Sequence, residues 1–425
     1  MSTTDQHRLL VAQWTAFGLA ITAYMISFFH RVAPAALSLE LQKSFQASAT
    51  ELGVITAVFF FVIMLMQVPT GILADTIGSR RLLTIGCLVG ALGAVLFAVA
   101  QNVWVATLAR ALIGFGSAIP FVALLRLNAS WFSNRQFATL SGLTLLFANL
   151  GSVLSTTPLQ WASQLVSWRW LIGAVGVSTL VIGLLIARFV RDQPADIGLK
   201  HPDGVTGAPA MSSLSSWRRQ FVQVIRNPRT WPCFFVGFGV CGSFFTFSSL
   251  WAVPFLVSEH GMTEEAAATH VMLMIMAHAA AALFLGRLSD RLGNRRGLLL
   301  VLAWLYLLSW LPMTMPMTHF PGESYWVFVF QGVASTSYTL IWAVAKEVND
   351  PASAGMAIGV VNTSMFLAAA MLQPLIGALI DHAGAEGMEH ALLLLGTVSS
   401  IGIVAGIMMT ETHGKNIHQK PAQAV

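Results

Sequence analysis

Charge is what this sequence has least of. Asp, Glu, Lys and Arg make up 10% of its 425 residues, while 56% are hydrophobic. A soluble domain carries roughly 25% charged residues. So few charges cannot coat a globule in water, which excludes a soluble enzyme or a soluble binding domain. Cysteine is scarce too: Cys87, Cys233 and Cys241 all lie in apolar runs. That pattern excludes a disulfide framework or a cysteine metal cluster and leaves small residues for helix packing. No nucleophile–base pairing or metal-ligand spacing is visible, so neither an enzyme nor a cofactor or metal site is expected. A cleavable leader is also missing. The first apolar run follows a short polar start with Arg8, is too long for a leader core and lacks a small-residue cleavage pattern. It reads as a first membrane helix.

What is present is a series of apolar runs of about 20 residues, long enough to cross a bilayer as helices. There are twelve, at residues 11–37, 50–74, 82–100, 103–127, 136–159, 167–190, 230–257, 265–287, 297–315, 324–346, 354–380 and 389–410. The one long polar stretch, residues 191–229, is rich in Pro, Gly, Ser and charge and divides the runs six and six. The expected organisation is an N-terminal six-helix bundle (1–190), a cytoplasmic linker (191–229) and a C-terminal six-helix bundle (230–425). Positive charge orients the spans. With both termini and the linker in the cytoplasm, the inner side holds Arg8, Arg80, Arg81, Arg135, seven Lys/Arg from Arg188 to Arg229, four from Arg287 to Arg296, Lys415 and Lys420. The outer side holds Lys43 and Arg169, and its loops are acidic. The net charge of +5 is thus topological and does not point to nucleic acid.

Two loops match each other. "GILADTIGSRRL" starts at Gly71, after span two, and "GRLSDRLGNRRGL" starts at Gly286, after span eight. Both read G-x-L-x-D-x-x-G-x-R-R. Gly71 and Gly286 are expected to permit close helix packing, and Gly78 and Gly293 a tight turn between antiparallel helices. Asp75 and Asp290 sit at helix ends, where a carboxylate can face a neighbouring helix N-terminus. The two loops, with six plus six spans and a long central loop, resemble the signature of the major facilitator superfamily. The resemblance implies an all-α membrane protein of two pseudo-symmetric six-helix bundles, working by rocker-switch alternating access. It also implies gating roles for Asp75, Gly71, Gly78, Arg80, Arg81, Asp290, Gly286, Gly293 and Arg295. In the family each such Asp faces the opposite half, here near residues 353–357 for Asp75 and 134–137 for Asp290. The bland alternative is that these loops only anchor topology through their arginines.

"RALIGFGSA", from Arg110 on span four, resembles the family's R-x-x-x-G-x-G-x-A pattern. Gly114 and Gly116 would let span four pack closely, and the resemblance suggests coupling or gating for Arg110. The Gly-Pro motif of drug/proton antiporters is missing from span five, "SGLTLLFANLGSVLSTTP".

In the family, substrate meets the spans near the bilayer midplane. Span one offers Tyr24, Ser27, His30 and Arg31; Tyr24, Ser27 and Arg31 fall at i, i+3, i+7, one helical face. Further polar candidates for the substrate are Arg110, Asn149 on span five, Gln331 and Tyr338 on span ten and Asn362 on span eleven. Arg126 and Lys346 end spans four and ten, where they either snorkel to headgroups or make a cavity mouth positive. Membrane depth holds Arg31 and Arg110 but no Asp or Glu. Buried charge demands compensation, and a guanidinium suits carboxylate or phosphate. An anionic substrate follows.

"AYMISFFHRVAPAAL" resembles the span-one stretch of the superfamily's organic-anion branch of organophosphate, sugar-acid and monocarboxylate carriers, with Arg31 at the binding position. Several sugar-acid symporters carry a proton-coupling acid on span four where Ser117 stands here, so His30, His278 or Glu347 are the candidates for a proton. The expected protein is a monomeric secondary transporter in a lipid bilayer, the bacterial inner membrane. It would move a small organic anion with protons or in exchange for a counter-anion. The alternative is a drug/proton efflux antiporter for hydrophobic compounds, which would want an acid at depth. A non-transporting sensor with the same fold would bring an additional domain.

Overall fold

The structure, a computed structural model, describes residues 3–199, 214–314 and 324–418. Among the described residues there is no strand. Twelve helices are long and apolar enough to cross a membrane. In order these are Thr4–Ala36, Ala49–Ala74, Ser79–Val99, Val103–Trp131, Thr139–Leu165, Trp168–Phe189, Thr230–His260, Glu264–Leu292, Arg295–Thr314, Tyr325–Val348, Pro351–Ala383 and Gly387–Met408, hereafter spans one to twelve. Each overlaps one of the expected apolar runs, with ends that differ by a few residues. Large apolar side chains such as Leu65, Leu92, Leu184, Phe284 and Met408 are exposed along them. Water would not tolerate so much apolar surface, whereas lipid requires it.

By packing, the chain divides into residues 1–33 with 68–212, and residues 34–67 with 213–425. In the first unit, span three is laid between spans four and six on a stripe of small residues. A Cβ built at Gly116 of span four would stand 2.5 Å from the Gly86 carbonyl oxygen, and one at Gly183 of span six 2.7 Å from the Cys87 Cβ. All three cysteines are buried as thiols. Without a hydrophobic drive between helices in lipid, such close backbone approach supplies the packing.

The second unit gathers spans seven to twelve and the chain from Pro34 through most of span two. Gly53 lies on the Gln373 carbonyl, where a Cβ would come within 2.5 Å of the oxygen. Asp381, at the end of span eleven, caps the start of span two. Its carboxylate accepts from the Ala49 and Thr50 amides at 2.9 and 2.8 Å and from the Thr50 hydroxyl at 2.6 Å.

Three local features depart from the expected plain helices. A helix, Leu214–Arg226, forms inside the polar linker, with Trp217 stacked on Phe221 and Val224 buried against span eleven's side of the unit. Span seven contains two π-helical turns, Gly237–Cys241 and Phe247–Trp251. Span ten tightens to a 3₁₀ turn at Thr336–Thr339. The run Ser335, Thr336 and Thr339 explains the last: each hydroxyl donates to the carbonyl three residues back, at 2.7, 2.6 and 2.8 Å. Hydroxyls that reach their own backbone compete with the α-helical ladder.

Candidate functional site

In the first unit the polar face of span one is split in two. Tyr24 and Arg31 stand together with Phe28. The Arg31 guanidinium lies 4.0 Å above the Phe28 ring, and Tyr24 packs edge-on to Phe28 and stacked on Phe121 of span four. An aromatic face attracts a desolvated cation and fixes its plane, so Phe28 holds the Arg31 guanidinium in place. Ser27 departs from the expected set. With His30 it lines a small internal cavity bounded by Gly86 and Cys87 of span three, Gly116 and Ser117 of span four and Thr179 of span six. At 3.6 residues per turn Ser27 lies about 60° and His30 about 120° round the helix from Tyr24, enough to turn both into the bundle. The Ser27 hydroxyl donates to the Ala23 carbonyl at 3.0 Å.

Arg110 is buried and its Nη1 donates to the His30 carbonyl at 2.8 Å. The span-four motif therefore acts at two levels: Arg110 fastens the span to span one, and Gly116 seats it on span three. Asn149 turns its amide back to the Leu145 carbonyl of its own helix at 2.8 Å. Arg126 is half-buried at the end of span four.

In the second unit the polar candidates separate by burial. Gln331 is fully buried, with its amide against the Met313 sulfur. The Asn362 amide donates to Gln67 Oε1 at 2.8 Å. His270 uses Nδ1 on the Ala266 carbonyl and stacks on Tyr325 at 4.3 Å, a packing histidine. His278 joins Tyr338 and Ser335 in a buried chain described below. Lys346 is exposed.

The signature loops have a shared construction that their spelling does not disclose. Gly78 and Gly293 adopt φ of 85° and 60°, the left-handed region where a Cβ is disfavoured, as the expected tight turns require. The amides that open the next helix are then taken by a carboxylate just past the last span of the same half. In the first half Asp192, three residues beyond Phe189, accepts from the Arg80 amide at 2.8 Å. In the second half Glu411, three residues beyond Met408, accepts from Arg295 and Arg296 at 3.1 and 2.7 Å. The Arg80 side chain grips the Ala187 carbonyl. Arg295 spans two acids, 3.1 Å from Asp290 and 2.8 Å from Glu347. Glu347 is further bound by the Thr412 hydroxyl at 2.5 Å. It is thus part of the loop network. Arg81 is exposed, and the Asp75 side chain lies outside the described residues. Gly71 and Gly286 do not serve close packing: a methyl at either meets no described atom within 4 Å.

Burial pushes the Glu411 carboxyl up, but four backbone amides, from His413, Arg296, Arg295 and Thr412, outweigh it and hold the group below the ordinary glutamate value. A depressed folded-state pKa contributes stability that is present above the unfolded pKa and lost as pH falls through the folded one. Glu411→Gln should therefore cost about 1 kcal/mol at neutral pH, as the loss of a helix cap does. Thermal unfolding scans should show the gap between variant and parent closing below pH 4–5, about the free-glutamate pKa.

These features match a known architecture. The Major Facilitator Superfamily model matches residues 15–252 and 233–424, so that its two segments cover the chain. The chain belongs to this superfamily. It is a multi-pass membrane protein of a transporter family, not an enzyme. It is 24% identical over 412 residues to "Probable sulfoacetate transporter SauU" of Cupriavidus necator, covering 92% of each protein. It is 24% identical over 385 residues to "Membrane sensor protein UhpC" of Salmonella typhimurium, covering 86% of this chain and 83% of that one. Among solved structures it is similar to a bacterial homologue of the human lysosomal transporter Spinster in an inward-facing, unoccupied conformation. That match has a TM-score of 0.75 and 16% identity, over 97% and 99% of the two chains. The resemblance to the superfamily, and to its organic-anion branch, agrees with these relatives.

Proposed function

We propose that this superfamily member is a secondary transporter of a small organic anion, moved by rocker-switch alternating access with both termini in the cytoplasm. The observation that carries the reading is the charge at depth. The spans place Arg31 and Arg110 inside the apolar stretch, and every Asp and Glu of the chain falls at or beyond a span end. A carrier with a positive interior is suited to an anion. Arg31 is the anchor of choice because its guanidinium is planar and fixed on Phe28, a ring that Tyr24 also packs against, whereas Arg110 is committed to the backbone of span one. The relative named as a probable sulfoacetate transporter supports the class, since sulfoacetate carries a carboxylate and a sulfonate. The reading takes protons as the coupling ion, with His278 as the proton-binding residue because both its ring nitrogens face polar partners at depth, Ser335 and Tyr338. Efflux of lipophilic cations lacks the acid at depth that it would use.

A thermal-shift screen of the purified protein against carboxylates, sulfonates and phosphate esters tests the class, because ligand binding raises apparent stability. Sulfoacetate or a close relative should raise the unfolding temperature, and lipophilic cations should not. The opposite ranking would replace the anion reading with the efflux reading.

A further inference from the structure

His278 of span eight is buried between spans seven and ten, sandwiched by Phe244 at 4.9 Å and Tyr338 at 5.6 Å, both near-parallel. Its two ring nitrogens are both engaged: Nδ1 lies 2.9 Å from Ser335 Oγ, and Nε2 lies 3.2 Å from the Tyr338 hydroxyl. The Ser335 hydroxyl donates its single proton to the Gly332 carbonyl at 2.7 Å. Ser335 Oγ can then only accept from His278, so Nδ1 carries the ring proton. In a neutral imidazole that leaves Nε2 bare, an acceptor for the Tyr338 O–H. Tyr338 gives its proton inward, to the histidine.

One turn along span ten stands Trp342, edge-on to Tyr338 at 5.8 Å. Its indole N–H is buried and has no acceptor among the described residues. An indole nitrogen is a donor only, and a buried donor left unmet is destabilising. Lys346 follows one further turn on and is exposed. Tyr338, Trp342 and Lys346 therefore form a stripe of donors at i, i+4, i+8, running from the end of the span to the histidine.

We propose that Tyr338 and Trp342 are a proton-gated donor pair for the transported anion, with His278 as the gate. When His278 Nε2 takes a proton from water, both ring nitrogens become donors. The Tyr338 oxygen must then accept from Nε2–H, and its own O–H swings away from the histidine. The phenol and indole donors now both address an acceptor beside span ten, which an anion's oxygens supply. Proton and anion are bound together because the first creates half of the site for the second, and loss of the proton withdraws it. No bond other than those to the proton is made or broken.

The surroundings leave His278 in charge of this step. The groups packed on it are Phe244, Ser335, Tyr338 and the Gly332 carbonyl, of which Tyr338 alone titrates. Tyr306 of span nine is given to Ser243 at 3.1 Å. His270 lies two turns away on the same span, near His260 at the end of span seven. No Asp, Glu, Lys or Arg forms an ion pair with His278 among the described residues.

This proposal rests on the anion reading for the identity of the acceptor but not for the reversal itself, and two measurements keep them apart. The first uses the ligand-free full chain in nanodiscs with ¹⁵N-labelled histidine, the His278 signals being assigned by loss in His278→Gln. At alkaline pH Nδ1 should be protonated and Nε2 bare; on acidification both should be protonated. In step with that titration the infrared C–O band of Tyr338, isolated as parent minus Tyr338→Phe, should move from the donor to the acceptor position. An Nε2–H tautomer at alkaline pH, or a Tyr338 band indifferent to the titration, overturns the reversal.

The second uses proteoliposomes with radiolabelled sulfoacetate, or with the most stabilising anion of the screen if sulfoacetate gives no shift. Tyr338→Phe should flatten the pH dependence of KM. Trp342→Phe should raise KM about tenfold at every pH, the loss of one hydrogen bond to a charged group, and keep the pH dependence. Thermal unfolding of each variant reports folding. Unchanged KM in Trp342→Phe, or an unchanged pH profile in Tyr338→Phe, removes the donor pair. A screen in which no anion stabilises the protein ends the anion reading and the donor pair with it, while the spectroscopic result still decides the reversal.

Discussion

Arg31→Ala is expected to reach the membrane, unfold at nearly the parental temperature and transport its anion at least about a hundredfold more slowly. That figure is what loss of a charge-assisted contact of about 3 kcal/mol implies. Folding should survive because part of the Arg31 side chain's packing is its stacking on Phe28, and an alanine leaves an apolar surface in an apolar setting. Arg31→Lys is the sharper variant. It keeps the charge but gives up the planar fork, so it should recover electrostatic attraction and not bidentate geometry. The expected order of transport is Arg, then Lys, then Ala. Parental uptake by the alanine variant, measured in proteoliposomes on protein shown to be folded, would remove Arg31 from the site and with it the main support for an anionic substrate.

Gly116 should be a sensitive packing position of the first unit. A Cβ there stands 2.5 Å from the Gly86 oxygen, 2.7 Å from the Gly90 Cα and 2.9 Å from the Gly90 nitrogen. All three are backbone atoms, which cannot rotate aside as a side chain can. Gly116→Ala should cost about 1–3 kcal/mol, the usual cost of overpacking, and Gly116→Val more, seen as a lower unfolding temperature in detergent. The controls lie close by. At Gly90 the nearest atom to an added Cβ is 3.5 Å away, an ordinary contact, and at Gly71 no described atom lies within 4 Å. Alanine at either should be tolerated. A Gly116→Ala variant as stable as Gly71→Ala would mean that spans three and four are not held by this approach.

This contrast also shows how far the sequence could be read. Span number and the two signature loops were legible because bilayer thickness and turn geometry act locally: twenty apolar residues, or a glycine where φ must be positive. Gly71 and Gly286 were misread because a motif fixes residue identity and not what stands opposite. The clamps of Asp192 and Glu411 went unseen because they close over more than a hundred residues of chain, although an acid three residues past the last span of each half was a usable signal. The linker helix had one too: Trp217, Phe221 and Val224 follow the i, i+4, i+7 spacing of an amphipathic helix, hidden by the polar residues between them. Ser27 fell on the wrong side of a boundary that helical periodicity draws only to within about 60°. The His278 chain could be suspected from its residue types but not directed, since its direction depends on where the Ser335 proton goes.

The two π turns of span seven give that helix a property its neighbours lack. In each turn the amide of the following residue reaches five residues back, Gly242 to Gly237 and Ala252 to Phe247. The span therefore stores two more residues than an α-helix of equal rise would hold. Such slack can be passed along a helix, as hydrogen bonds change from five residues back to four, with no amide left unserved at any stage. Phe245 lies between the two turns. Moving one turn past it would rotate its ring about the helix axis by roughly 100°, the angle of one residue, while both ends of the span stay anchored in the bundle. Span seven is in this sense a shaft with its own bearing, able to turn at its centre without being pulled at its ends.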